Sequence, residues 1–155
     1  MTAIVRLARP DDRPRVLELL AAANLPLDGV AEHFASFYVA VDGSAVLGSA
    51  GLEFHGPYAL LRSVVVEAGA QGMGVGSVLT RRALNEATAR GVLGVYLLTT
   101  TAEEFFGRFG FKSTSRQEAP APLQESIEFR SACPASAVTM RLGMANLHSA
   151  VTRQS

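Results

Sequence analysis

The chain has 155 residues, of which 48% are apolar, 18% are charged and 7% are aromatic, and fourteen basic residues offset fourteen acidic ones. This length predicts a single domain, and the apolar fraction excludes a disordered chain. The zero net charge argues against a nucleic-acid-binding surface, which needs a basic excess to displace counterions.

The cysteine count and the apolar runs exclude further classes. One cysteine, Cys133, makes neither an intramolecular disulfide nor a cysteine-rich zinc site, and we expect no metal. The N-terminus lacks the pattern of a signal peptide. The longest apolar run, Gly91 to Leu98, is far shorter than the roughly 18 residues of a membrane span. We therefore expect a cytoplasmic protein without a membrane partner.

The first half of the chain predicts a strand, a helix and three more strands. Ile4 to Arg9 is the first strand, and Pro10 then begins a helix whose apolar residues recur at helical spacing through Ala23. A short helical turn is expected at Val30 to Phe34. Turn residues then join three apolar runs into an antiparallel meander: Phe37–Val41, Ala45–Phe54 and Tyr58–Val66.

The second half alternates helices with strands. A helical period extends from Val75 to a glycine cap at Gly91, and a second helix is expected at Ala102–Phe109 with Thr101 as its N-cap. The predicted strands are Val92–Leu98, Ile127–Phe129 and Val138–Leu142. This order predicts an α+β domain over residues 1–142, with a central mixed, mostly antiparallel sheet and helices on both faces. Residues 143–155 are expected to form a flexible tail.

The glycine-rich segment from Gln71 to Ser77 carries the most chemical information. It follows an apolar strand and opens a helix, so its backbone N–H groups and the helix dipole suit a diphosphate. A P-loop is excluded because no lysine follows Gly76, and a dinucleotide fingerprint is disfavoured because Ser77 replaces its third glycine. A simple connecting turn remains the alternative.

The pattern Gln71-x-x-Gly74-x-Gly76 after a valine-rich strand resembles the coenzyme A motif of the GCN5-related N-acetyltransferase (GNAT) family. Within that family, the segments Leu61–Val66 and Leu97–Ala102 and the pair Cys133-Pro134 look like the arsenic-resistance (ArsN-type) enzymes. The resemblance implies a GNAT-type single domain that uses acetyl-coenzyme A.

The resemblance also assigns cofactor contacts. The backbone of Val64, Val65 and Val66 would pair with the pantetheine arm, and an amide near Val64 or Val65 would polarise the thioester carbonyl. The diphosphate would lie on the turn and the helix start, which comprise Gln71, Gly72, Met73, Gly74, Val75, Gly76 and Ser77.

Acetyl transfer to an amine requires a base, and two residues are candidates for catalysis. Glu53 interrupts an apolar strand near the expected cleft, with His55 on the same strand face. Ser63 directly precedes the expected cofactor contacts at Val64–Val66. A solvent-facing Glu53 is the competing interpretation. The position at which the family often has a tyrosine acid is Phe106, so the sequence names no acid.

Substrate contacts are expected from Arg62 and Thr99. Arg62 would bind a carboxylate if it faces the cleft, and would be a solvated strand residue otherwise. Thr99 occupies a position where many relatives have asparagine. Cys133 alone is unsuited to chelating arsenite, which needs two or three thiolates, and is better explained as a small buried residue.

These features predict an N-acetyltransferase that moves acetyl from acetyl-coenzyme A to the primary amine of a small molecule, by direct attack in a ternary complex. The expected acceptor is an amino acid or analogue, including an arsenic- or phosphorus-containing glutamate analogue. The alternatives are a non-catalytic acyl-coenzyme A sensor and a protein N-terminal or lysine acetyltransferase. A homodimer is a further possibility.

Overall fold

A computed structural model describes residues 3–143 of the chain, apart from the side chains of residues 131 and 132. The predicted tail, residues 143–155, lies outside this range after Gly143. Seven strands form the sheet: β1 (Ile4–Leu7), β2 (Phe37–Asp42), β3 (Ala45–His55), β4 (Tyr58–Val66), β5 (Gly94–Thr99), β6 (Lys112–Thr114) and β7 (Val138–Gly143). The α-helices are α1 (Arg13–Ala22), α2 (Val30–His33), α3 (Val75–Ala89), α4 (Glu103–Gly107) and α5 (Ala121–Gln124).

The strands form one sheet in the order β1-β2-β3-β4-β5-β7-β6. All neighbouring pairs are antiparallel except β4 and β5, which are parallel. The predicted mixed, mostly antiparallel α+β architecture is therefore confirmed. The parallel pair sits at the centre of the sheet, where α3 provides the crossover connection that parallel strands require.

Helices cover both faces of the sheet because its strands alternate their buried side chains. On β2, Tyr38 and Ala40 pack with α3 on one face. Phe37, Val39 and Val41 pack with α1 and α2 on the other. A third cluster, around Leu60 and Leu123, lies beneath α5.

The structure corrects two predictions in the segment after α4. Ile127–Phe129 is not a strand: Ser126 Oγ accepts a hydrogen bond from the Phe129 amide, and a turn of π-helix follows over Glu128–Ala132. The strand between α4 and β7 is instead β6, a short polar edge strand that pairs with β7. The apolar residues Ile127 and Phe129 suggested a strand. Glu128 and Phe129 are indeed buried, but they are buried by side-chain packing and not in a strand that pairs with the sheet.

The N-cap of α4 also differs from the prediction. The helix begins at Glu103, and the Ala102 amide before it donates to the hydroxyl of Thr99 at 3.0 Å. Ala102 is therefore the N-cap of α4, the helix has no side-chain cap, and the predicted N-cap Thr101 is wrong. Separately, none of the helices within residues 3–143 has the length and apolarity needed to cross a membrane.

Gly48 sets how closely β3 approaches both β4 and α3. A Cβ at this position would lie 2.5 Å from the Val65 carbonyl oxygen and 3.2 Å from Leu79 Cδ1. We expect Gly48→Ala to destabilise the fold by about 1–3 kcal/mol because the backbone of β4 must move. The free energy of unfolding from urea titrations measures this effect.

Gly107→Ala is the matched control, since no atom lies within 4 Å of the Cβ it would add. The free energy of unfolding of that variant should lie within about 0.5 kcal/mol of the wild-type value. Equal stabilities of the two variants would contradict the packing described for Gly48.

Candidate functional site

The parallel strands β4 and β5 separate after three paired residues. Their pairing covers Tyr58–Leu60 against Gly94–Tyr96, although β4 continues to Val66 and β5 continues to Thr99. A cavity of about 490 Å³ opens between the separated strands. Leu61–Val66 line it on one side and Leu97–Thr101 on the other. The separation thus leaves the inner edge of β4 without a strand partner beside the cavity.

A β-bulge in β4 marks the middle of this edge. Ser49 pairs with Val65 and Gly51 with Arg62, so Ser63 and Val64 both stand opposite Ala50. Ser63 has a φ of +58°, which is rare for a residue with a side chain. The Ser49 hydroxyl donates to the Ser63 carbonyl at 2.7 Å and holds this conformation. The bulge adds one residue to β4 that has no paired partner on β3.

The glycine-rich turn lies at the far end of the same cavity. Gly72 and Gly74 have φ values of +84° and +82°, and helix α3 begins directly after Gly74. The first amides of α3 have no carbonyl partner within the helix. No atom lies within 4 Å of a Cβ built on either glycine, so the space above the turn is open.

Other residues predicted to contact the cofactor surround this turn. Gln71 donates from Nε2 to the Val66 carbonyl at 3.1 Å, which ties the turn to the end of β4. Gln71 and Gly76 line the cavity, whereas Met73 is exposed at 62%. Three predicted residues, Val64–Val66, line the cavity opposite them.

Glu53 and Arg62 form a buried ion pair beneath the cavity wall. Glu53 is 1% exposed and Arg62 is 3% exposed, and Arg62 Nη1 donates to Glu53 Oε2 at 2.6 Å. The solvent-facing alternatives for both side chains are therefore wrong. Arg62 lines the cavity. Glu53 does not line it and contacts Arg62 instead.

The remaining polar atoms of Arg62 are also engaged. Its Nε donates to Ser63 Oγ at 3.0 Å and lies 3.3 Å from Glu128 Oε2, and its Nη2 donates to the Pro26 carbonyl at 3.3 Å. A carboxylate in the cavity would therefore compete with Glu53 and Glu128 for this guanidinium.

Two histidines complete the environment of Glu53. His55 Nε2 lies 2.7 Å from Glu53 Oε1, and His33 Nε2 lies 3.6 Å from the same oxygen. Burial raises the pKa of the Glu53 carboxyl, but the hydrogen bonds from His55 and Arg62 and the charge of Arg62 outweigh it, so the pKa lies below its ordinary value. Glu53 is thus held as a carboxylate at neutral pH.

The covering segment, which runs from the start of α5 at Ala121 to Pro134, contributes Glu128 and Cys133. Burial raises the pKa of Glu128, and the nearby charge of Glu53 adds to this despite the opposing charge of Arg62. Burial, with the charge and hydrogen bond of Glu128, raises the pKa of the Cys133 thiol to about 12. Cys133 is therefore a protonated thiol at neutral pH, which disfavours binding of a soft cation.

Sequence reasoning missed His33 and Glu128, and it offered no role for Asn24–Pro26. His33 comes from α2 and Glu128 from the covering segment. No local pattern in the sequence indicates that these elements approach β3 and β4. Asn24–Pro26 line the cavity. Phe106 is buried and also lines the cavity at the position of the missing tyrosine. Thr99 lines it as well, with its hydroxyl committed to the Ala102 amide.

The family model described as an acetyltransferase (GNAT) domain matches residues 33–113, which is more than half of the chain. The chain belongs to the GNAT acetyltransferase family. The matched region contains the meander, the bulge, the glycine-rich turn and α3. The predicted enzyme class, an acetyl-coenzyme A-dependent N-acetyltransferase, is confirmed at the level of this family. No curated protein matches the chain in a sequence search.

Solved structures share this GNAT fold. N-acetylglutamate synthase from Neisseria gonorrhoeae, complexed with coenzyme A and N-acetyl-glutamate, is 19% identical with a TM-score of 0.79; the match covers 93% of this chain and 35% of the synthase. The chain thus spans about a third of the synthase's length. Rv2747 from Mycobacterium tuberculosis, in complex with CoA, is 22% identical with a TM-score of 0.75, and the match covers 90% of this chain and 98% of Rv2747. Ard1 from Thermoplasma volcanium is 22% identical with a TM-score of 0.72, and the match covers 92% of this chain and 98% of Ard1.

The open space above Gly74 allows a test of the turn as a diphosphate site. Asp and Asn both tolerate positive φ and have nearly the same shape. We expect Gly74→Asp to weaken coenzyme A binding at least about tenfold more than Gly74→Asn, because only Asp repels the diphosphate. Isothermal titration calorimetry measures both affinities.

Urea unfolding of the two variants checks that their folded states are equally stable. Equal affinities for coenzyme A in Gly74→Asp and Gly74→Asn would contradict a diphosphate at this turn.

Proposed function

We propose that the protein transfers the acetyl group of acetyl-coenzyme A to the primary amine of a small amino-acid-like acceptor, by direct attack in a ternary complex. The observation that carries this proposal is the cavity between β4 and β5. It joins Gly76, at the start of α3, to Arg62 along the unpaired edge of β4. One end therefore suits an anionic diphosphate, and the other end presents a cation.

The cofactor would occupy the cavity along β4. Its diphosphate would accept hydrogen bonds from the amides of Gly72–Ser77, and its pantetheine arm would pair with Val64–Val66 as an added strand. This places the thioester near the bulge. The amides of Ser63 and Val64, which lie at the bulge, are the candidate donors to the developing oxyanion.

The acceptor would bind near Arg62. Within the described part of the chain, Arg62 is the one charged side chain that lines the cavity. An acceptor with a carboxylate or a phosphinate would be attracted to it. The fold shared with a synthase complexed with N-acetyl-glutamate supports an amino-acid acceptor. The resemblance to ArsN-type enzymes supports an arsenic- or phosphorus-containing glutamate analogue as the narrowest form of this proposal.

The walls of the cavity favour a small acceptor over a protein. Asn24–Pro26 border it from the segment after α1, and Cys133 and Pro134 border it from the covering segment. Both segments also contact the guanidinium of Arg62. The Pro26 carbonyl accepts a hydrogen bond from it, and the Glu128 carboxyl forms an ion pair with it. These contacts hold the two segments over the acceptor end.

Glu53 is the proposed general base, acting with Ser63. Glu53 lies behind Arg62, so the ammonium proton of the acceptor would reach it through an intervening water. Ser63 lines the cavity, and its hydroxyl, which accepts from Arg62 Nε, retains one proton to donate to the reacting groups. The thiolate of coenzyme A would leave without a tyrosine acid, because Phe106 fills that position.

An acceptor panel tests the proposed reaction. Release of the coenzyme A thiol is measured with L-glutamate, its phosphinate and arsenic analogues, L-glutamine and a lysine-containing peptide. We expect turnover with the acidic small amines and kcat/KM at least about tenfold lower with L-glutamine, which lacks the second anionic group.

Turnover confined to the peptide would support protein acetylation instead. Tight binding of acetyl-coenzyme A without turnover of any amine would favour the sensor.

Glu53→Gln tests the base. We expect kcat to fall by about 10²-fold or more while the affinity for acetyl-coenzyme A, measured by calorimetry, is unchanged. Glu125→Gln, an exposed glutamate on the covering segment, is the control and should retain the wild-type rate. A wild-type kcat in Glu53→Gln would remove Glu53 from the reaction.

A further inference from the structure

Three potential metal ligands meet on the side of Glu53 that faces away from Arg62. His33 is the last residue of α2, and Glu53 and His55 lie two positions apart on one face of β3. Each offers one ligand atom, and these atoms all lie within 4.8 Å of one another. The two imidazole rings are 5.8 Å apart between centroids. None of the three residues lines the cavity between β4 and β5.

We propose that His33, Glu53 and His55 form a binding site for one divalent transition-metal ion of the zinc class. The proposal shares Glu53 with the acetyl-transfer proposal, but its test is separate because it measures ion binding and not turnover. It also departs from the expectation drawn from the sequence, which considered only the single cysteine.

The donor set selects the kind of ion. Two imidazole nitrogens and one carboxylate oxygen are a ligand set that zinc uses when a fourth position stays open to water. Magnesium and calcium prefer shells composed of oxygens, so they suit this cluster poorly. Ligand atoms in a tetrahedral zinc site lie about 3.3 Å apart for bonds of about 2.0–2.1 Å. The separations of 2.7 Å and 3.6 Å from Glu53 Oε1 to the two histidines bracket that value.

The surroundings already orient the carboxylate for such an ion. Arg62 Nη1 holds Glu53 Oε2 at 2.6 Å, which leaves Oε1 directed towards the histidines. A hydrogen bond to the second oxygen of a ligating carboxylate is a common way to fix its orientation. Access also exists, since the side chains of His33 and His55 are 32% and 18% exposed.

Arg62 and a bound cation would contact different oxygens of Glu53. Two carboxyl groups, Glu53 and Glu128, meet one guanidinium, that of Arg62. A cation bound to Glu53 Oε1 would leave the contacts of Arg62 with Glu53 Oε2 and with Glu128 in place.

An ion at this site would link α2 to β3. The segment before α2 already packs on the ion pair, since a Cβ on Gly29 would lie 2.7 Å from Arg62 Nη1 and 3.4 Å from Glu53 Oε2. Binding to the folded state alone raises its stability. The metal would therefore stabilise the segment that borders the acceptor end of the cavity.

The test uses Zn²⁺ and Co²⁺ on chelator-treated full-length protein. We expect calorimetry to show one equivalent of Zn²⁺ and Co²⁺ to give the visible absorption of a four-coordinate ion. His33→Asn and His55→Asn should each weaken binding at least about tenfold. His148→Asn, at the remaining histidine of the sequence, is the control and should bind as the wild type does.

A second readout needs no substitution. In the wild-type protein, Zn²⁺ should shift the imidazole NMR signals of two histidines and leave that of His148 in place. Absence of stoichiometric binding, binding that survives both histidine substitutions, or shifts confined to His148 would each overturn the proposal. Wild-type coenzyme A affinity in the two variants would show that they are folded.

Discussion

The separation of β4 from β5 is the constraint on which the site depends. Two neighbouring parallel strands that stop pairing must leave backbone groups without partners, and buried backbone groups are costly unless something satisfies them. Here the separation begins after Leu60 and Tyr96. The bulge at Ser63 adds one residue without a paired partner to the same strand. A ligand that supplies hydrogen bonds along β4 resolves this cost, and the pantetheine arm of coenzyme A has the amides to do so.

The buried charges explain how the acceptor end of the cavity is held. Burying an arginine requires compensation, and Arg62 receives it from carboxylates on two separate elements, Glu53 on β3 and Glu128 on the covering segment. Pro26 adds a carbonyl from a third element. One guanidinium therefore joins both segments that border the cavity. Loss of either carboxylate would alter the charge and the shape of that end together.

Local signals in the sequence were sufficient for most of the fold and for locating the glycine-rich turn. The turn from Gln71 to Ser77 was identifiable because its glycines and the following helical period are local features. Glu53 was identifiable as a charge within an apolar strand, but its direction was not, because strand alternation leaves two faces open. The roles of His33 and Glu128 depend on long-range packing, which leaves no local pattern. Ile127–Phe129 misled because apolar residues in an irregular segment resemble a short strand.

Backbone amide signals of the protein titrated with coenzyme A test the central claim most directly. NMR would follow each amide, and the account predicts that the largest shifts fall in two groups, Val64–Val66 on β4 and Gly72–Ser77 at the start of α3. The amides of β1 and of β6, the two edge strands, should move little because neither strand lines the cavity. Shifts centred outside these two groups, or no shifts at saturating coenzyme A, would contradict the account.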